Sequence, residues 1–270
     1  MCDEAIPPAL IVKARHLPWQ TPLIWLQRGW QDICRAPCAS LFYGGAFVVM
    51  GYVLGWLFSY APEHTITLAT AFLLVGPFVA IGLYDISRRG EQQARIRLTD
   101  TLTAWRRNLP GISLFAMLLT LLVAGWMRVS VVIIALFFTQ SFPSLDKWLS
   151  ADWFMLDNAL FLLVYFGIGS VFAALVFMIS VVSIPIMLDR DYDTLSAIFA
   201  SVNVALKNPL CMFIWAGLIV LLTLIGFATF YLGLWLTIPL IGHATWHAYR
   251  SLITHQPLTD SATGTQKAST

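Results

Sequence analysis

Apolar residues in this chain run in long unbroken stretches, and the polar positions gather between them. Six stretches predict membrane-length helices: Ser40–Tyr60, Ile66–Tyr84, Gly111–Thr139, Leu160–Leu188, Leu210–Phe227 and Ala228–Tyr249. Roughly 20 residues rising 1.5 Å each cross a hydrocarbon core about 30 Å thick. Three shorter segments alternate apolar and polar positions with a helical period instead. In the first, Leu23, Leu26, Trp30 and Ile33 form a stripe opposite Gln27, Arg28, Gln31 and Asp32. In the second, Leu98, Leu102 and Trp105 alternate with Arg97, Asp100, Thr101 and Arg106. In the third, Leu195, Ile198, Phe199, Val202 and Leu206 face away from Asn203 and Lys207.

Each amphipathic segment ends in a basic residue and a proline: Arg35 and Pro37, Arg107 and Pro110, Lys207 and Pro209. Proline suits the first turn of a helix, where its missing N–H would have no partner anyway. The repeating unit therefore reads as interfacial helix, turn, span, span, written over 23–90, 95–190 and 192–250. The predicted fold is an all-α polytopic membrane protein. It has six transmembrane helices in three hairpins, each hairpin preceded by a cytoplasmic interfacial amphipathic helix. Residues 1–22 form an N-terminal cytoplasmic segment, and 251–270 a Ser/Thr-rich disordered tail. The middle spans are longer than the bilayer, about 43 Å as straight helices. Their outer turn, Phe142–Asp157, is expected to project outward.

Composition agrees with lipid as the main solvent. Of 270 residues, 59% are hydrophobic and 11% charged, and mean hydropathy is +0.76. Met1–Pro22 lacks an apolar run followed by a small-residue cleavage site, so no cleavable signal peptide is expected there. Basic residues cluster before the first span (Arg15, Arg28, Arg35), after the second (Arg88, Arg89, Arg95, Arg97, Arg106, Arg107), around Arg190 and Lys207, and at Arg250. The positive-inside rule then makes both termini cytoplasmic. Cysteines at 2, 34, 38 and 211 predict no disulfide framework.

A recurring triplet supplies the candidate chemistry. Pro77, Pro185 and Pro239 are followed seven and eight residues later by Tyr84–Asp85, Tyr192–Asp193 and Trp246–His247. On a continuous helix the offset is about 12 Å. In a threefold bundle Asp85, Asp193 and His247 would converge at the cytoplasmic mouth and handle protons or a divalent cation. The alternative is that they mark where helices leave the lipid, beside an aromatic belt. His243 and His247 share a helix face, a spacing that brackets a metal or haem, or that anchors a helix at the interface. Arg128 interrupts an apolar run and either snorkels, with Asp152 or Asp157 as partner, or binds an anion at depth. Gly44, Gly45, Gly51 and Gly55 form a small-residue stripe for close helix packing.

The string Trp25-Leu26-Gln27-Arg28-Gly29-Trp30-Gln31-Asp32, then Pro37 and Ser40-Leu41-Phe42-Tyr43-Gly44, resembles the family called domain of unknown function 2189. So do Gly76-Pro77-Phe78 with Gly82 to Arg89, Pro185 with Leu188 to Asp191, and Pro239 to Arg250. The resemblance implies a bacterial inner-membrane protein without an established activity. Some members carry a cytochrome c oxidase subunit label. The ligand set of a catalytic oxidase subunit is absent here, the histidines being His16, His64, His243, His247 and His255.

No phosphate loop, nucleophile elbow or zinc-protease motif occurs. The sequence predicts no enzyme, no cofactor, no metal and no nucleic acid. Its partners are membrane lipid and either a second membrane protein or further copies of itself. The expected role is a scaffold or accessory subunit of a membrane assembly, a respiratory one included. A small-solute or ion permease with a polar site at the cytoplasmic mouth is the alternative.

Overall fold

A computed structural model of the chain describes residues 14–60, 79–138, 159–190 and 192–253. Helix α1 (Thr21–Arg35) leads through Ala36 into α2 (Pro37–Tyr60). Helix α3 spans 79–91. A short α4 (Leu98–Thr101) and a 3-10 turn (Ala104–Asn108) lead into α5 (Leu109–Phe137). Then come α6 (Ala159–Ser180), α7 (Ser183–Asp189), α8 (Thr194–Lys207), α9 (Pro209–Ala228) and α10 (Leu234–Leu252).

Among the described residues, four segments are long and apolar enough to cross a membrane: Pro37–Leu57, Leu98–Phe137, Ala159–Asp189 and Pro209–Ala228. Two of the six predicted spans stand apart from these. Much of Ile66–Tyr84, with Pro77, lies outside the described residues, as does the Phe142–Asp157 turn. The last span differs in its bounds and character. Residues 229–233 form a turn with Phe230 and Tyr231 at positive φ, and α10 starts only at Leu234. Its second half carries His243, His247 and Arg250, and Gly242 to Tyr249 are all buried.

The prolines act differently in each place. Pro185 removes a donor and its ring crowds the carbonyl four residues back, at Val181. The predicted Leu160–Leu188 helix accordingly breaks at Val181–Val182 and ends at Asp189, before Tyr192. Pro239 lies inside α10. It frees the carbonyl of Trp235, and Gly44 of α2 packs on that oxygen so closely that an added Cβ would meet it at 2.1 Å. Gly51, two turns on, lies against the Tyr231 ring, whereas Gly55 has nothing within 4 Å. The glycine stripe thus serves the α2–α10 contact over part of its length.

Helix α10 is the hub, packing against α1, α2, α7 and α9. Its contact with α1 is more extensive than those with α2, α7 and α9. Gly29 makes this possible, because any Cβ there would lie 2.9 Å from the Ala244 nitrogen. The face α1 buries is therefore Trp25, Gly29, Asp32 and Ile33, while Leu23 and Trp30 of the predicted stripe are exposed. Helix α8 does the same: Ala197, Ala200, Ser201 and Val204 are buried, and Leu195, Phe199 and Leu206 face outward. The second amphipathic segment is not one helix, since it divides into α4 and the 3-10 turn.

Helices α5 and α6 run antiparallel. Gly125 meets Phe172, Trp126 meets Gly169, and Ser130 donates to Tyr165 at 2.9 Å. Phe137 stacks edge-on against Phe161. One partner's number rises as the other's falls. Aromatic and aliphatic contacts carry this pair.

Candidate functional site

The polar side chains collect at one end of the bundle, where Ala14 and Ile253 form an antiparallel bridge and Arg15 N–H donates to the Leu252 carbonyl at 2.9 Å. The two ends of the described chain therefore lie together. Asn208 locks them. Its side-chain oxygen accepts from Leu17 N–H and its amide donates to the Arg15 carbonyl, both at 2.9 Å. Asn108 occupies the matching place before α5. It accepts from Gly111 N–H and donates to the Tyr192 carbonyl at 3.0 Å.

The centre of the site is His243, which is fully buried between two serines. Its Nε2 lies 2.9 Å from Ser40 Oγ and its Nδ1 2.7 Å from Ser87 Oγ. Ser87 is also hydrogen-bonded to the Asp32 carboxylate. A serine has one proton to give, and an ionised carboxylate only accepts. Ser87 therefore donates to Asp32 and accepts from Nδ1–H of His243. In the neutral ring Nε2 is then the acceptor for Ser40. Neither nitrogen of His243 is open to a metal without breaking a serine hydrogen bond.

His247, one turn further along α10, places Nε2 2.8 Å from the other oxygen of Asp32. Arg35 donates to Asp32 Oδ1 at 3.0 Å. Burial opposes ionisation of Asp32, but hydrogen bonds from His247 and Ser87 and the neighbouring imidazoles outweigh it, so its carboxyl titrates below the ordinary value. Glu91, at the end of α3, is 3.8 Å from His247 Nδ1 and accepts from Arg250 Nε at 3.0 Å. Arg250 also lies 3.6 Å from Asp189, which accepts from the Tyr249 hydroxyl at 2.6 Å. Polar groups from α1, α2, α3, α7 and α10 are thus joined in one network.

Asp85 is fully buried with its own partners. Arg88 donates to Oδ1 at 2.6 and 3.0 Å, and Arg89 to Oδ2 at 2.6 Å. Arg89 reaches on to Asp100 at 3.3 Å. Such charge-assisted forks fix three side chains on one turn of helix. Asp193 is exposed and caps α8, accepting from Ser196 N–H at 3.1 Å. The hydrogen bonds from Ser196 hold its carboxyl below the ordinary value.

Asp85, Asp193 and His247 therefore have three separate partner sets, and among the described residues no hydrogen bond or ion pair links them. One reason is local: the helix after Pro185 ends before Asp193, so the equal offsets do not give equal geometry. Arg128 is exposed on α5 and unpaired among the described residues, its predicted partners Asp152 and Asp157 lying outside them. His243 and His247 are both buried inside protein. Among the described residues no group of three His, Cys, Asp or Glu is arranged to hold a metal ion.

Sequence reasoning placed Asp32 on a polar face and passed over Ser40, Ser87, Glu91, Asp189 and the two asparagines. The asparagines were legible, since each precedes the proline that opens a span. The serines carried no signal, because a hydroxyl near an apolar run is ordinary.

An open groove of about 990 Å³ adjoins this network. Arg28, Gln31 and Arg35 line one wall, Pro37 to Ala39 the start of α2, and Glu91, Ile96 and Leu98 the far wall. Asp32 and His247 form part of its lining.

Residues 65–189 match the family model described as "Predicted integral membrane protein (DUF2189)", the domain of unknown function 2189. Over this segment, a little under half of its length, the chain is similar to that family. It is an integral membrane protein with apolar helices. The matched stretch contributes Ser87, Asp85, Glu91 and Asp189, whereas α1 and α10 with Asp32, His243 and His247 lie outside it. No curated protein and no solved structure matches the chain.

Proposed function

We propose that this protein is a non-enzymatic scaffold or accessory subunit of a membrane assembly in the bacterial inner membrane. Six spans in three hairpins, with both termini cytoplasmic, complete the reading. Apolar exposed faces of α1 and α8 then lie against lipid headgroups and acyl chains, with arginines beside them. The observation that carries this proposal is how the ionisable groups are used. Asp85, Asp32, Glu91 and Asp189 are each committed to arginine, histidine or tyrosine from the bundle itself. Such groups fix helices against one another and leave few reactive atoms for a substrate. Meanwhile α5 and α6 present Leu121, Val132, Leu136, Leu163 and Val171 on the outside. These faces suit a bilayer or a second membrane protein.

Purification through a tag in mild detergent tests the idea. A membrane-protein partner, or a second copy, recovered at fixed stoichiometry and lost on changing Leu163 or Val171 supports it. Recovery of a monomer alone, under conditions that preserve known membrane complexes, overturns it.

The groove favours one second reading, a permease whose polar site opens at the cytoplasmic mouth. Solute or ion flux in proteoliposomes that requires Asp32 and His247 would replace the scaffold with a transporter.

A further inference from the structure

The groove beside α1 has its two carboxylates already engaged. Glu91 is paired with Arg250, and Asp32 with His247, Arg35 and Ser87. Its unengaged charge is cationic. Arg28 and Gln31 are exposed and, among the described residues, have no hydrogen bond or ion pair. Arg35 spends one nitrogen on Asp32 and keeps the rest of its guanidinium, which is about half exposed. Arg28, Gln31 and Arg35 lie at i, i+3 and i+7, one stripe of α1, so both guanidinium groups can reach a point above Gln31. Gly90 shapes the opposite side: a Cβ there would lie 2.9 Å from Arg35 Nη1.

The far side of the groove changes character. Pro37, Ala39, Ile96 and Leu98 are apolar. Pro37 also opens a helix long and apolar enough to cross the bilayer. Donors that suit a phosphate therefore stand at the level where a spanning helix begins, with apolar contact toward the hydrocarbon.

We propose that this groove binds the phosphate of a phospholipid, with Arg28, Gln31 and Arg35 as its donors and Ile96 and Leu98 against the glycerol end of the chains. The inference rests on α2 crossing the membrane and is independent of the assembly reading.

The test uses the full chain, purified and delipidated in a sugar detergent. Its melting midpoint is followed during titration with dioctanoyl phosphatidylglycerol, dioctanoylglycerol or inorganic phosphate. Saturable stabilisation by phosphatidylglycerol alone is expected. Arg28→Gln should weaken it about tenfold or more, as loss of a charged hydrogen bond does, and Gly90→Ala should weaken it by displacing Arg35. Arg28 has no partner to lose, so the midpoint of Arg28→Gln without lipid should match that of the native chain. Equal binding by dioctanoylglycerol overturns phosphate recognition. Equal binding by inorganic phosphate overturns the lipid assignment in favour of a free anion. Unchanged affinity in Arg28→Gln overturns the site.

Discussion

The α1–α10 contact and the α5–α6 pair are two helix pairs built on opposite principles. The first packs around Gly29 and buries Asp32 against His247, in a network that His243 extends to Ser40 of α2 and Ser87 of α3. The second packs aromatic and aliphatic side chains, with one Ser–Tyr hydrogen bond. Lipid is as apolar as leucine, so apolar contact alone gives a membrane helix pair little specificity. Buried polar groups are costly when unmatched, so the α1–α10 end tolerates few alternative arrangements. The end with the network is thus the more narrowly specified of the two.

Substitutions break this comparison most sharply at Asp85. Asp85→Ala leaves Arg88 and Arg89 without their buried counter-charge and should cost about 3–5 kcal/mol. Thermal unfolding in detergent measures it, and a loss below 1 kcal/mol would mean that the arginines reach water unaided. On the apolar pair, Leu163→Ala should change stability by less than about 0.5 kcal/mol, whereas Leu163→Arg should cost roughly 2.5–3.5 kcal/mol if that face meets lipid. Membrane-insertion efficiency reads the second effect, and an indifferent Arg would place the face in water.

Gly44→Ala should then cost about 1–3 kcal/mol, because the carbonyl of Trp235 occupies the space of the new methyl. The same change at Gly55, which faces nothing within 4 Å, should be neutral or slightly stabilising. Matching midpoints for the two variants would mean that α2 does not seat on α10 in solution.

The smallest effect is one of pH. The Asp32 carboxyl is held below its unfolded value of 3.8, so its contribution is full above that value and is lost as pH falls through the lower folded one. Asp32→Asn should lower the neutral plateau, where the carboxylate contributes, and flatten the acid limb, so that the two profiles converge at low pH. A limb that keeps its slope assigns acid sensitivity to other carboxylates.

How much of this was legible in the sequence follows from the same contrast. Long apolar runs located α2, α5 and α9 to within a few residues, since a helix satisfies its own backbone in lipid, whereas the Leu160–Leu188 run breaks after Ser180. Helix α1 was legible as a helix but not in its orientation. The stripe of Leu23, Leu26, Trp30 and Ile33 reads as an interfacial face, and Gly29, which carries no periodic signal, decides which side approaches α10. The proline triplets showed equal spacing without equal structure, because Pro185 breaks its helix where Pro239 is carried inside one. His243 and His247 were visible as a pair. Their partners lie 156 to 215 residues away in sequence, a separation that periodicity does not encode.

The bridge between Ala14 and Ile253 gives the molecule a handle. Tension applied to the segment before Ala14 would be delivered through Arg15 to the carbonyl of Leu252, little more than one helical turn beyond His247. Whatever grips either tail from the aqueous side thereby holds a lever on the imidazole–carboxylate pair, with Asn208 as its fulcrum.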